Sequence, residues 1–280
     1  MTEQGGVDAV DSGAVETAPD GHPRGHDLES RPHAELDTAG LLVRHAELAA
    51  GYGGQDDPDD PALVLAMPLV LHLPKTDPPR RSALLAAAAV ATVRLCLDER
   101  VGPGGEWEQP YLDWKGARIR KLARRARGGH WSAVGEVDGV TAQIDGAQAR
   151  ALVPGPVGAV DPRVKRLQIG GTDLEHDDPG SPAPNLPVLW VNSSLGMTVG
   201  KAAAQVGHAS MLLAGALSGE AVVRWAEDGF RCSVREADPR RWRALAEQAD
   251  RGVGVAVRDA GFTEVAPGSI TVIAVWPAAR

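Results

Sequence analysis

Three polar side chains have types and a spacing that suit chemistry: Lys201, Gln205 and His208 lie four and three residues apart, with Leu212 four further on. In a helix that spacing puts them on one face. A lysine in a helix's first turn opposes the macrodipole, at a cost of roughly 0.5 kcal/mol. Free backbone N–H groups at that terminus, beside an ammonium, suit a phosphate or a developing oxyanion, and local violations of this kind are expected at functional sites. Taken singly, the same residues also read as ordinary, with Lys201 snorkelling and Gln205 and His208 as satisfied polar groups on a half-exposed helix. A second group lies near the carboxy terminus, where Asp259, Thr263 and Ser269 place a carboxylate and two hydroxyls in one connection between strands.

The elements that must hold these groups follow from the surrounding pattern. Residues 188–191 are a β-branched and aromatic run that predicts a buried strand, Gly196 and Gly200 bracket a loop, and the alanines and leucines from Gly200 predict a helix with Gly215 and Gly219 near its end. A short helix over 220–227 and a strand over 230–235 follow. Asp238 suits an N-cap and Pro239 the first helical position, opening a helix over 240–250 that Gly252 ends. Runs at 253–257 and 270–275 predict two closing strands, with Asp259, Gly261, Pro267 and Gly268 supplying turn chemistry between them. Strand, glycine loop, Gly-Lys and helix is also the layout of a phosphate-binding loop. That motif needs four residues between its glycines and a Ser or Thr after the lysine, whereas three separate Gly196 from Gly200 and Ala202 follows Lys201, which excludes ATP or GTP hydrolysis by that route.

Together, GKAAAQVGHAS at 200–210 and DAGFTEVAPGSITV at 259–272 resemble the type II peptidyl-tRNA hydrolases in order, spacing and intervening pattern. The resemblance covers residues 187–280 and implies an α/β fold, a small mixed β-sheet with helices on both faces. It also implies cleavage, without a cofactor, of the ester joining a peptide to the terminal ribose of tRNA. Lys201 and Asp259 stand where the family's implicated residues stand. On that footing Asp259, with Thr263, orients the attacking water, and Lys201 stabilises the oxyanion or the leaving hydroxyl. Gln205, His208, Gly200 and Ser269 then hold the substrate, with a purely structural His208 as the equal alternative. Many members carry further lysines before Gly-Lys, where this chain has Gly196, Thr198 and Val199, and an Asp-Ala-Gly-Arg-Thr-Gln loop where it has Phe262 and Glu264. Lost cations weaken binding to RNA phosphates, and Glu264 adds repulsion. Two other readings therefore stand beside the hydrolase: a non-catalytic RNA-binding or scaffold protein on the same fold, and a hydrolase of another acyl ester or amide.

Residues 1–60 hold fourteen Asp or Glu against three Arg and read as a disordered acidic tail, whose four histidines, His22, His26, His33 and His45, lack ligand spacing. The whole chain sums to −8 and this segment to −11, leaving about +3 on the rest, so the acidic total does not argue against RNA. Residues 61–170 predict an amino-terminal α/β domain: a strand from Leu63 interrupted by Pro68, an alanine-rich helix over 79–98, a second helix over 110–128, and strands over 140–144 and 164–169. This order echoes the carboxy-terminal half, so the domain reads either as a diverged duplicate, forming an internal pseudo-dimer in place of the family's usual homodimer, or as an unrelated α/β domain. Its second helix, within 114–131, carries seven Lys or Arg and no acid. Lys115, Arg118, Lys121, Arg124 and Arg125 are its candidate tRNA contacts, with Trp114 or Trp131 available for stacking, unless the charge run is only a solvated face. Residues 171–186 read as a Pro/Gly-rich linker whose His176, Asp177 and Asp178 have no enclosing cage for a metal. Cys96 and Cys232 fit no redox or metal spacing, and no apolar run has the length of a signal or a membrane span, so a soluble cytoplasmic protein in a reducing compartment is expected.

Overall fold

The computed structural model describes residues 36–170, 173–261 and 264–277. In chain order the elements are α1 (Thr38–Ala49), β1 (Leu65–His72), α2 (Arg81–Cys96), α3 (Glu108–Gly116), β2 (Arg120–Ala126), α4 (Gly129–Val134), β3 (Gly139–Ile144), β4 (Ala147–Leu152), β5 (Gly155–Pro156) and α5 (Pro162–Lys165). They continue with β6 (Val188–Asn192), α6 (Val199–Ala216), α7 (Gly219–Glu227), β7 (Ser233–Ala237), α8 (Pro239–Asp250), β8 (Val255–Arg258) and β9 (Ile270–Val275). The result is a mixed α/β fold with two mixed sheets.

The sheets share one topology. The first runs β2-β1-β4-β3, with β5 also on β1, and the second runs β7-β6-β9-β8. In each, the first two strands of the half are parallel and the remaining pairings antiparallel. Pro68 is tolerated inside β1 because it falls between the β4 ladder at Leu69–Leu71 and the β5 ladder at Leu65–Ala66, where a missing N–H breaks neither. The halves also repeat a buried tryptophan: Trp114 donates its indole N–H to the Arg120 carbonyl at 2.9 Å, and Trp225 to that of Arg231 at 2.8 Å.

Helices α2 and α6 pack against each other between the sheets, α2 on β3 and β4, α6 on β8 and β9. Each also reaches the other half's edge strand, α6 touching β2 and α2 touching β7. Their small residues permit the approach. A Cβ at Gly207 would sit 2.8 Å from Thr92 Oγ1, and Ser210 donates to the Ala89 carbonyl at 2.8 Å. Ala89 and Thr92 are three apart, as are Gly207 and Ser210, so the two contacts exchange under an approximate two-fold, as in an isologous interface. One apolar core runs from Leu41 to Ala274 through both sheets, and residues 37–280 form one compact unit.

Several expectations change. The tail placed at 1–60 reaches too far: residues 1–35 lie outside the described residues, but α1 is a helix with Asp37 as N-cap, burying Leu41, His45 and Leu48 against α6 and α7. His45 is not a solvated histidine, since its Nε2–H donates to the Ala214 carbonyl at 3.0 Å. The helix expected over 110–128 ends at Gly116, and its basic part is strand β2, paired residue by residue with β1 from Ala66–Arg120 to His72–Ala126. Pairing and alternate burial of Lys121 and Ala123 override helical propensity there. The strand expected over 164–169 is instead α5 followed by a single bridge, Arg125 to Gln168. Nor is 171–186 a plain spacer: Asp177 caps α2 through the Ser82 N–H and hydroxyl, Asp173 pairs with Arg81, and His176 pairs with Glu236.

Candidate active site

Two loops build the site. Strand β6 passes through Gly196, left-handed at φ 54°, into α6, whose N-cap Thr198 accepts from the Lys201 N–H at 3.3 Å. The β8–β9 connection closes on itself: the Asp259 N–H donates to the Ser269 carbonyl and the Gly268 N–H to the Asp259 carbonyl. Gly261 has φ +80° and a Cβ there would lie 2.4 Å from Pro267, so only glycine fits the turn. The turn aims its N–H at Asp259 Oδ1, 2.8 Å away.

These loops bring Lys201 and Asp259 together, with Nζ 2.6 Å from Oδ2 and side chains only 10% and 8% exposed. Gln205 donates Nε2–H to the same Oδ2 at 2.9 Å and accepts at Oε1 from the Thr271 hydroxyl at 2.5 Å. Thr271 is fully buried, and its importance is not legible in advance, because a threonine inside a β-branched run is an ordinary strand former. Lys201, Gln205 and His208 line a cavity of about 490 Å³ with Gly200, Asp259, Arg258 and Glu264. Its other wall comes from the amino-terminal half, including Tyr52, Arg118, Arg120, Lys121 and Ala123.

His208 meets Lys121 there, Nδ1 to Nζ at 3.0 Å. Burial and the neighbouring ammonium groups of Lys121 and Lys201 hold the imidazole well below the usual histidine range. Burial likewise pushes Lys121 down to about 7. Cys96 and Cys232 are both buried free thiols, pushed up by burial to about 11 and about 12, which keeps them unreactive.

Other expected residues fall differently. Thr263 and Phe262 lie outside the described residues. Ser269 contributes its backbone to the loop and is not among the cavity-lining residues. The terminus of α6 is less open than expected, since Glu264 accepts from the Thr198 N–H at 2.9 Å and hydroxyl at 2.7 Å. The acid that looked repulsive to RNA is thus turned onto a positive helix end. The five candidate RNA contacts do not form one face. Lys115 is buried against the Glu47 and Gly51 carbonyls, Lys121 points inward, and Arg118 lies 3.6 Å from Asp57. Arg124 donates to the Lys165 and Leu167 carbonyls, and Arg125 to Gln168. Trp114 is fully buried and Trp131 stacks on His72, 4.8 Å between centroids. Arg258, beside Asp259 in sequence, lines the cavity and is a site cation that the expectations omit.

Comparison with known proteins finds a family match for the carboxy-terminal part of the chain. Residues 187–280 match the family model described as Peptidyl-tRNA hydrolase PTH2. A protein of Halobacterium salinarum named peptidyl-tRNA hydrolase is 35% identical over 95 residues, covering 32% of this chain and 84% of its own length. One of Methanopyrus kandleri with the same name is 38% identical over 95 residues, 32% of this chain and 82% of its own. A probable peptidyl-tRNA hydrolase 2 of Schizosaccharomyces pombe is 34% identical over 96 residues, 32% of this chain and 47% of its own.

Proposed function

The chain belongs to the PTH2 family of peptidyl-tRNA hydrolases, and from that membership we propose that it hydrolyses the ester of peptidyl-tRNA, releasing the peptide and recycling the tRNA. The observation that carries the reading is the buried Lys201–Asp259 pair at the wall of a cavity large enough for an ester and its terminal nucleoside. Asp259 orients a water for attack on the ester carbonyl and takes its proton. Lys201 stabilises the oxyanion and returns a proton to the ribose oxygen as the C–O bond breaks. Gln205, braced by Thr271, holds the carboxylate in place. Gly200 leaves the floor beside Lys201 open, and Arg258 is the cavity cation placed to meet the tRNA backbone, Arg118 and Arg120 being engaged with Asp57.

The amino-terminal half reads as a diverged duplicate standing in the place of a second subunit. Support comes from the shared strand order, the paired tryptophans and the exchanging α2–α6 contacts. Its equivalent of the Gly-Lys terminus has Arg81, Ser82 and Ala83, and its last hairpin turns tightly at Asp145-Gly146, leaving no loop for a second Asp259. No described helix is long and apolar enough to cross a membrane, and a tRNA substrate suits a cytoplasmic setting.

Single-turnover cleavage of a diacyl-aminoacyl-tRNA tests the assignment. The parent is expected to release tRNA, and Lys201→Ala and Asp259→Ala to lose at least about a hundredfold in rate. Salt-sensitive tRNA binding without cleavage by the parent would transfer the chain to the RNA-binding reading.

A further inference from the structure

Building on that reading of the site, we propose that Lys121, carried by the amino-terminal half, is a positioning residue for the site of the carboxy-terminal half. It acts through His208, its Nζ donating to Nδ1 so that the imidazole meets the bound ester as a neutral Nε2–H donor. Lys121 is 7% exposed, so it is not a surface contact for phosphate. Its Nζ lies 3.0 Å from His208 Nδ1 and 3.1 Å from Met211 Sδ. The thioether has no proton to give, and a protonated lysine has three N–H groups and no lone pair, so the ammonium donates to both. Nδ1 therefore accepts, and the ring proton falls on Nε2. His208 lines the cavity, and Nε2 is the nitrogen left to meet what enters.

Burial, and then the charged surroundings, keep that ring neutral. Lys201 faces it from its own helix, Lys121, Arg118 and Arg120 from the β2 side, and Arg258, Asp259 and Glu264 from β8 and the loop after it. Cys96 of α2 lies near Lys121 as a protonated thiol. The carboxylates are engaged elsewhere, Asp259 by Lys201 and Gln205, Glu264 by Thr198. Protonating His208 would add a cation between two ammonium groups.

Gly207 supplies an independent sign that the lysine's place is built. It sits inside α6 beside His208, where glycine costs about 1 kcal/mol relative to alanine. A Cβ there would lie 3.3 Å from Lys121 Cδ as well as 2.8 Å from Thr92 Oγ1, so the missing side chain makes room for the lysine stem as well as for α2. Trp114 floors the same space, its ring centre 4.9 Å from Nζ, and is itself fixed by its bond to Arg120 of the same strand.

The test uses the full chain and the variant Lys121→Met, an unbranched apolar side chain suited to the pocket beside Met211 and Trp114. Imidazole ¹H–¹⁵N spectra, with His208 assigned by its loss in His208→Gln, are expected to show an Nε2-protonated neutral ring in the parent. That ring should resist titration until well below the ordinary histidine range, and Lys121→Met should move its titration upward while burial still holds it below that range. In single-turnover cleavage of peptidyl-tRNA, Lys121→Met should slow the step by about tenfold, the scale for losing a histidine's outer partner, without changing the half-saturating concentration. In a His208→Gln background the same change should cost nothing further. An Nδ1-protonated parent, an imidazole indifferent to Lys121→Met, equal losses in both backgrounds, or a raised half-saturating concentration at unchanged rate would each overturn the proposal. The parent's tautomer needs only the assigning His208→Gln spectrum and no peptidyl-tRNA turnover, so an Nδ1-protonated ring overturns the proposal whether or not the hydrolase reading holds.

Discussion

Asp259 accepts from Lys201, Gln205 and the Gly261 N–H, and the Lys201 ammonium is nearly as buried as the carboxylate it faces. Removing one member of such a pair leaves the other charge uncompensated, at about 3–5 kcal/mol, whereas removing both costs less. Asp259→Asn is expected to lower stability in urea more than Lys201→Met, because the carboxylate left by the second change keeps two neutral donors. The double variant should recover part of the loss, and simple additivity of the two single costs would rule the coupling out. Lys121 carries a pH signature. Unfolded it titrates near 10.5 and folded at about 7, so between those values the unfolded chain binds more protons and stability rises with pH. Below pH 7 the burden is constant. Lys121→Met should therefore be more stable than the parent at pH 6, with the advantage shrinking as pH rises from about 7 toward 10. An advantage equal at every pH would mean that Lys121 keeps its proton throughout. Lys201, Gln205 and Asp259 were legible because a helix period and a turn signature mark their places. Lys121 was visible only as one cation among seven, since its inward direction depends on β2 being a strand.

That strand shows where element-level reading stops. Residues 120–126 contain no β-branched side chain, and their partner β1 lies more than fifty residues upstream, so local propensity misses a pairing made by tertiary contact. Strand β4 was missed for a different reason: its sequence AQARAL has no β-branched or aromatic residue, although Asp145 and Gly146, at φ 47° and 81°, form a two-residue hairpin turn that an Asp-Gly pair signals directly. Most of the carboxy-terminal elements were legible from caps and periodicity, including α8, whose Asp238 cap accepts from the Arg241 N–H at 2.7 Å. The α2–α6 contact yields an element-scale prediction. Gly207→Ala improves helix propensity by about 1 kcal/mol but drives a Cβ to 2.8 Å from Thr92 Oγ1. Thr92 is fully buried and hydrogen-bonded to the Ala88 carbonyl, so it has little room to move. Overpacking of this kind costs about 1–3 kcal/mol, so Gly207→Ala is expected to destabilise, and Thr92→Ala in the same chain to restore part of the loss. A stabilised Gly207→Ala would mean that the helices can separate without penalty.

At the scale of the whole molecule, the repeated topology has a consequence for assembly. A homodimer built on a two-fold contact between central helices needs two copies of one self-complementary surface. Here α2 and α6 already cover each other within one chain, and the buried faces on both sides are small apolar residues with few polar partners to leave unsatisfied. The two sides are no longer interchangeable, because α2 begins at Arg81, bound to Glu236 and the Met197 carbonyl, where α6 presents Lys201 to its cavity. A second chain would have to displace a packed helix of the first, losing the exchanging Gly207–Thr92 and Ser210–Ala89 contacts for equivalent ones at an added entropic cost of association. The protein is therefore expected to sediment as a monomer of 29.3 kDa at micromolar concentration. A single-turnover titration should then find one ester cleaved per chain in the first turnover, since only one half pairs a lysine with Asp259. A stable dimer with two working sites would place the subunit contact on another surface, and it would remove the reason for treating the amino-terminal half as a built-in partner.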